Sequence, residues 1–356
     1  MLTVFNVGQG DSFLIHPRCG CTFDEPHPLL VDTGAPSARI ARRLPSDPMP
    51  VLLTHSHKDH IGGLPSLIAQ KRVSAVLIPY YLPEITAIYR YVRNYASVVF
   101  GEPDWSEIKK LDLRLVSEGD MLCAHSTVLN PPKSPFAFSW GYASSDESRD
   151  IERALAALTD RGMDLPVREI INYESPVLGE TVAGLDREYV ANARTFVHQF
   201  FISLSSRTSH TPSGALGYYV DTGLELTANQ ASVVFKYRHP TNGRWLFTGD
   251  ADETVFERLI SARVDISAEF LKVPHHGSRE NMSRRTLQEV NPKVAIISHG
   301  NRRFGRSADT HPHHEILDML DQRGVRTYYT NPVVKGRTAI KFKAVGEQES
   351  GLINFA

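Results

Sequence analysis

The feature that most constrains the fold is the apolar run Val51-Leu52-Leu53 leading into Thr54-His55-Ser56-His57-Lys58-Asp59-His60 and then Ile61-Gly62-Gly63. Imidazole and carboxylate are ligands for zinc and related first-row ions, and so dense a cluster is a poor way to build a core. The chain must therefore place a buried strand so that its end opens onto a polar site. Residues two apart in an extended segment point the same way, so His55 and His57 can converge on one ion. A turn into a helix starting near Ile61 carries Asp59 and His60 to a second ion or to the opposite side of the first.

Short apolar runs alternate with helical stretches in the first part of the chain. Strands are expected at Thr3–Val7, Phe13–Ile15, Leu29–Val31, Val51–Leu53 and Ala75–Ile78, and helices at Ser37–Leu44, Leu64–Lys71, Pro83–Tyr95 and Trp105–Leu111. Between about 130 and 226 the pattern blurs; it offers an amphipathic helix near Ile151–Arg161 and a strand-like Thr195–Leu204, and reads as an insertion covering the site. Regular patterning then returns. Strands are expected at Ser232–Tyr237, Arg244–Phe247, Phe270–Val273 and Val294–Ser298, with helices at Glu253–Ala262, Ser283–Glu289 and Pro312–Gln322, a turn at Pro240–Gly243 and terminal strands. The layout is one α/β domain in two halves, 1–129 and 227–356, separated by the insertion 130–226.

The second half supplies further ligand types at strand ends. One strand ends in Thr248-Gly249-Asp250, and another in Val273-Pro274-His275-His276-Gly277-Ser278. Asp250 has two oxygens with which to bridge two ions, and either histidine of the pair can complete a coordination sphere. Adjacent residues on an extended strand face opposite ways, so both histidines are not expected at the same ion. Lys+Arg 39 against Asp+Glu 40 leaves no overall basic field for nucleic acid, although a local basic groove remains open. Three cysteines, Cys19, Cys21 and Cys123, are too few for a disulfide framework. Without a basic leader or a run of 18 apolar residues, the expectation is a soluble cytoplasmic chain with no membrane insertion.

The motif order, Asp-Thr-Gly at Asp32, His-x-His-x-Asp-His at His55 to His60, Gly-Asp at Asp250 and the late His pair, resembles the metallo-β-lactamase superfamily. Three passages resemble the metallo-β-lactamase domain of the ComEC DNA-uptake family: Phe5-Asn6-Val7-Gly8-Gln9-Gly10-Asp11-Ser12, Leu271 to Ser278, and Asn301 followed by His311-Pro312. The likeness spans roughly 1–80 and 226–345, without the ComEC membrane channel. It implies a four-layer αβ/βα sandwich with metals at its edge. It also implies His55 and His57 at one ion, Asp59, His60 and the late His at another, and Asp250 between them. Asp32 would orient ligand imidazoles. One or two divalent ions, zinc or manganese, would be bound. Where the superfamily supplies a further His, this chain has Asn229, as ComEC-like domains tend to; the His57-side ion would be one ligand short.

Phosphorylcholine esterases of the same superfamily carry a similar His-His-Gly-Ser. By that resemblance His276 binds metal, while His275 faces the leaving group or a phosphoryl oxygen. Asp11, Ser12 and Ser278 would line the pocket. His311 would face the site, with His313 and His314 solvated. The ComEC resemblance implies hydrolysis of a nucleic-acid phosphodiester, with Asp59, His275 and His311 as the catalytic candidates; Arg302, Arg303 and Arg306 near His311 either contact phosphates or form a solvated surface cluster. A rival is a hydrolase of small phosphodiesters, esters, lactones or thioesters. Another is a binding module with reduced catalysis, which Asn229 keeps open.

Overall fold

The computed structural model describes residues 2–16, 28–140, 146–178, 185, 187–209, 215–239, 243–300 and 311–331, with three short terminal strands by backbone alone. Cys19, Cys21, Pro240 to Asn242, Asn301, Arg302, Arg303 and Arg306 lie outside the described residues.

The chain starts with β1 (Leu2–Phe5), β2 (Phe13–Ile15), β3 (Leu29–Val31), β4 (Met49–Leu52), β5 (Val73–Pro79) and β6 (Asp112–Val116). A second sheet follows in β7 (Ser126–Asn130), β8 (Val234–His239), β9 (Gly243–Phe247), β10 (Phe270–Lys272), β11 (Val294–Ile297) and β12 (Arg326–Tyr329). β13 (Val334–Lys335) and β14 (Thr338–Ala339) form a small hairpin, and β15 (Leu352–Phe355) returns to pair with β1. The first sheet runs β15-β1-β2-β3-β4-β5-β6 and the second β12-β11-β10-β9-β8-β7. Both are mixed. β3 to β6 are parallel beside antiparallel β15 to β3, and β9 to β12 are parallel beside antiparallel β7 to β9.

Strands buried on both faces read as continuous apolar runs, and β4 shows why. Val51 and Leu53 face a helical layer, whereas Leu52 faces the second sheet with Val4, Phe13, Val31, Phe235, Trp245 and Phe247. Helices α1 (Lys58–Ile61), α2 (Leu64–Ala69), α3 (Leu82–Val92) and α4 (Trp105–Ile108) belong to the first half. The insertion adds α5 (Glu147–Asp160), α6 (Val167–Ile171), α7 (Arg187–Thr208) and α8 (Leu216–Gln230). In the second half, α9 (Glu253–Ser261), α10 (Arg284–Val290) and α11 (His314–Gln322) cover the outer face of the second sheet. The order of layers is helices, sheet, sheet, helices, the four-layer αβ/βα sandwich expected from the sequence.

The insertion shares the core of the first half. Phe196 of α7 stacks on Tyr81 at 4.1 Å and meets Phe138 and Trp140 edge-on, so the helices around 147–230 join the layer that covers β4 and β5. Among the described residues no helix is long and apolar enough to cross a membrane.

Three local expectations change. Thr195–Leu204 is helical, inside α7, although Phe and Ile give the segment a strand-like composition. Its buried positions Ala193, Phe196, Val197, Phe200, Phe201 and Leu204 recur at helical spacing, and that periodicity decides. Ser37–Leu44 forms two 3-10 turns, Pro36–Ala38 and Ile40–Arg42, hinged at Arg39 with φ 49°; so short a segment does not repay helix nucleation. β7, at Ser126–Asn130, pairs with β8, so the chain enters the second sheet before the insertion.

Candidate metal centre

The site lies where parallel strands of both sheets end, the crevice in which α/β folds bind ligands. Asp32 follows β3, His55 to His60 follow β4, Asp250 follows β9, His275 and His276 follow β10, and Ser298 follows β11.

Asp32, at φ 58°, is fully buried and acts as the hub of the first half. Its Oδ1 accepts the Thr54 N–H at 2.7 Å, and its Oδ2 accepts the Thr54 hydroxyl at 2.7 Å and His60 Nδ1–H at 2.8 Å. Since the Thr54 hydrogen is committed to Asp32, Thr54 Oγ1 accepts from His55 Nδ1 at 3.1 Å. On the other side, His276 Nδ1–H donates to the Ser298 carbonyl at 2.9 Å. Each of these bonds puts the proton on Nδ1 and leaves Nε2 as a bare lone pair.

Those lone pairs converge on one atom. Asp250 Oδ2 lies 3.6 Å from His55 Nε2, 3.3 Å from His60 Nε2, 3.7 Å from His275 Nε2 and 3.5 Å from His276 Nε2. Donors about 2.0–2.2 Å from one zinc ion stand roughly 3.3–3.5 Å apart at tetrahedral angles. Two groups of ligand atoms each fall within 4.8 Å of one another: Asp11, His60, Asp250 and His276, and separately His55, His57 and Asp250. His57 Nδ1 is 2.9 Å from His55 Nε2. Among the described residues, Asp11 Oδ1, His57 Nε2, His60 Nε2 and His276 Nε2 are buried without a hydrogen-bond partner, and their clustering is what a bound ion would satisfy. Lone pairs aimed at a carboxylate repel it unless a cation lies between, so the donor set fits a divalent ion.

The field points the same way. Burial disfavours the charged forms of His60 and His276, yet Asp250 with Asp32 raises His60 well above the ordinary imidazole range, and Asp250, Asp59 and Asp11 raise His276. Burial also works against Asp250 and Asp59, but the surrounding imidazoles hold both below the usual carboxylate range. His57 is pushed down to about 4, mainly by burial, although Asp59 and Asp250 act the other way.

The His pair departs from the strand geometry expected of it. His275 and His276 both take left-handed φ, 45° and 55°, in a tight turn over Pro274–Gly277. The turn swings both Nε2 atoms to the same side, so both reach Asp250 Oδ2. His275 Nδ1–H donates to Asn281 Oδ1 at 3.1 Å, and Asn281 is fixed in that orientation because its amide donates to the carbonyls of Asp250 and Ala251. Left-handed backbone costs a non-glycine residue roughly 1–2 kcal/mol, a strain typical of functional sites. Gly277, at φ 83°, ends the turn because a Cβ there would lie 2.6 Å from Pro312.

Other candidates fall into distinct places. Asp59 stands at the rim, with its side chain 26% exposed and Oδ2 3.7 Å from His276 Nε2. Ser12 is buried and donates to the Asp32 carbonyl at 3.1 Å, so its hydroxyl braces the hub. Ser278 is buried behind the turn, its N–H donating to the His275 carbonyl. Asn229, in the last turn of α8, is buried with Oδ1 unpartnered, and Ser232 nearby accepts the Asp250 N–H at 3.2 Å. His311 is buried with its ring 5.2 Å from that of His275, and burial with the neighbouring imidazoles pushes its pKa down to about 2. His313, expected in solvent, is buried and its Nδ1 accepts the Arg279 N–H at 2.9 Å; His314 is exposed as expected.

Sequence reasoning missed Lys272. It is 1% exposed, donates to the Gly249 carbonyl at 2.7 Å, pairs closely with Asp11 Oδ2 and stands 3.5 Å from Asp250 Oδ1. A lysine inside the apolar run Phe270 to Val273 was the available signal, because lysine is almost never fully buried unless paired. Burial would lower its pKa, but Asp11 and Asp250 outweigh that and raise it.

Residues 6–154 match the family model described as Metallo-beta-lactamase superfamily. That stretch, less than half of the chain, is similar to the metallo-β-lactamase superfamily. ComE operon protein 3 of Bacillus subtilis is 34% identical over 88 residues, covering 24% of this chain and 11% of that protein. Recombination protein 2 of Haemophilus influenzae is 32% identical over 100 residues, 27% of this chain and 11% of that protein. Uncharacterized protein YcaI of Escherichia coli is 30% identical over 125 residues, 35% of this chain and 16% of that protein. The chain thus covers only a small part of each relative's length.

Proposed function

We propose that this chain is a metal-dependent hydrolase of phosphodiesters, with nucleic acid as the substrate class. The observation that carries the reading is the convergence of four imidazole Nε2 atoms on Asp250 Oδ2, all within 3.7 Å. His55, His57 and Asp250 would hold one ion, and His60, His276 and Asp250 with Asp59 at the rim the other. When bound, divalent ions supply Lewis-acid polarisation of a phosphoryl oxygen and a nucleophile at neutral pH, and zinc or manganese suits this donor set.

The remaining work falls to the chain. Asp32, Thr54 and Ser298 keep the ligand imidazoles in the Nδ1–H tautomer. Asp59, the most exposed of the carboxylates near the imidazoles, accepts a proton at Oδ2. His275, oriented by Asn281 and 24% exposed in its side chain, turns its Nε2 lone pair to the site; once it has taken up a proton there, it would hold a phosphoryl oxygen or pass that proton to the leaving oxygen. His311 packs against His275 from the far side. Support for nucleic acid comes from relatives, one of them named for recombination. The test is hydrolysis of single- and double-stranded DNA, RNA and bis-p-nitrophenyl phosphate with Mn²⁺, Zn²⁺ or Mg²⁺, for wild type and Asp59→Ala. Equal activity in both proteins would sink the mechanism. Cleavage of the small ester with no nucleic acid touched would favour small substrates.

A further inference from the structure

Four carboxylates, Asp11, Asp32, Asp59 and Asp250, crowd the site, and Asp11, Asp32 and Asp250 are almost wholly buried. Buried charge without a counter-ion is among the most destabilising features a core can contain. Lys272 meets this demand from within the fold. β10 carries its ammonium into a niche whose walls are all oxygen: Asp11 Oδ2, the Gly249 carbonyl at 2.7 Å, and Asp250 Oδ1 at 3.5 Å. The ammonium therefore occupies one oxygen of Asp11 and one side of Asp250. The four imidazole Nε2 atoms approach the other oxygen of Asp250, Oδ2, within 3.7 Å. Asp11 falls within the ligand cluster by distance; its Oδ2 pairs with Lys272, and its Oδ1 has no hydrogen-bond partner among the described residues.

We infer that Lys272 is a positioning residue that acts as a built-in cation: it holds one oxygen of Asp11 and one of Asp250 away from the metal positions and sets how strongly the site attracts divalent ions. The inference rests on the metal-centre reading above. Because a fixed positive charge stands behind Asp250, removing it deepens the negative potential at the metal positions and frees oxygens for coordination. Neutralising Asp11 does the opposite, since Lys272 is then less compensated. A residue that merely filled space would weaken binding whichever partner was removed.

The experiment compares wild type, Lys272→Met, Asp11→Asn and the double variant as metal-stripped full chains. Zn²⁺ and Mn²⁺ are titrated by calorimetry, bound metal is counted after equilibrium dialysis, and folding is checked by circular dichroism. Lys272→Met is expected to bind at least tenfold more tightly, Asp11→Asn at least tenfold more weakly, and the double variant within about threefold of wild type. A folded Lys272→Met with unchanged or weaker affinity overturns the inference. So does a double variant as weak as Asp11→Asn, which would make Asp11 a ligand in its own right. Should Lys272→Met fail to fold, the double variant, with the ion pair removed as a unit, decides on its own. Wild type that takes up no ion would defeat the metal reading and this inference with it; wild type that binds while the double variant stays weak defeats this inference alone.

Discussion

Asp32→Asn offers a sharp test of the site because it keeps the shape of the side chain and changes one atom's role. Asp32 Oδ1 accepts the Thr54 N–H, and the new amide oxygen can keep that bond. The amide nitrogen then replaces Oδ2, which accepts from both Thr54 Oγ1 and His60 Nδ1. Three donors would face one another in a space closed to water. Hydrogen bonds to a charged acceptor contribute roughly 1.5–3 kcal/mol each. Losing two puts the expected cost at about 3–6 kcal/mol, less whatever His60 recovers by moving its proton.

That recovery is the informative part. If His60 shifts its proton to Nε2, Nδ1 can accept from the amide, but the lone pair that faced Asp250 at 3.3 Å is gone. Metal affinity should fall about 10- to 100-fold, the usual effect of removing the partner that orients a ligand imidazole. Calorimetric titration with Zn²⁺ measures the affinity, and urea unfolding with and without metal separates the two costs. Asp32→Asn with wild-type metal affinity would show that the Asp32 bond does not set the His60 tautomer, and the ligand assignment built on it would fall.

Burial pushes the Glu84 carboxyl up to about 7 although the Tyr173 and Tyr189 hydroxyls donate to it. Between the unfolded value near 4.5 and about 7, the unfolded chain has released its proton and the folded chain keeps it, so stability should fall as pH rises through that window. The drop should approach roughly 3 kcal/mol; urea melts at pH 5 and 8 should show it in wild type and not in Glu84→Gln. Phe196→Ala should lose about 3–5 kcal/mol in one cooperative unfolding transition, because the insertion shares the core of the first half; a separate early transition of the insertion by near-ultraviolet circular dichroism would contradict this. Gly10→Ala should lower both melting temperature and metal affinity, since at φ 117° a Cβ would lie 2.0 Å from the Asp59 carbonyl oxygen; wild-type metal binding would refute it.

Much of the fold was legible because burial on both faces leaves a plain mark. β4 and β10 read as apolar runs in the sequence, and each ends at ligand-type residues. The hidden part depended on backbone turns and distant pairings. No periodicity shows that His275 and His276 adopt left-handed φ, so the extended-strand rule does not describe the turn that carries them. Nothing local ties Lys272 to Asp11, which lies in a turn of the first sheet far away along the chain. α7 was obscured because its β-branched and aromatic residues favour strands locally, while their burial against Tyr81 and Phe138 favours the helix.

The strain and the buried charge belong to one arrangement. Asp32, His275 and His276 each hold a left-handed backbone; Asp32 directly follows β3 at the buried Val31, and the His pair follows β10 just beyond the buried Val273 and Pro274. A strand end so held cannot relax its dihedrals without pulling Val31 or Val273 from the core, so packing enforces the turns that local preference opposes. The turns place the Asp32 carboxylate against His60 and set two imidazoles of adjacent residues beside one oxygen of Asp250. Straightening the His pair would restore ordinary φ at the loss of one of those donors. The metal centre and the double-sheet core therefore depend on the same strands, and a substitution that loosens β10 should reduce metal affinity before it unfolds the domain.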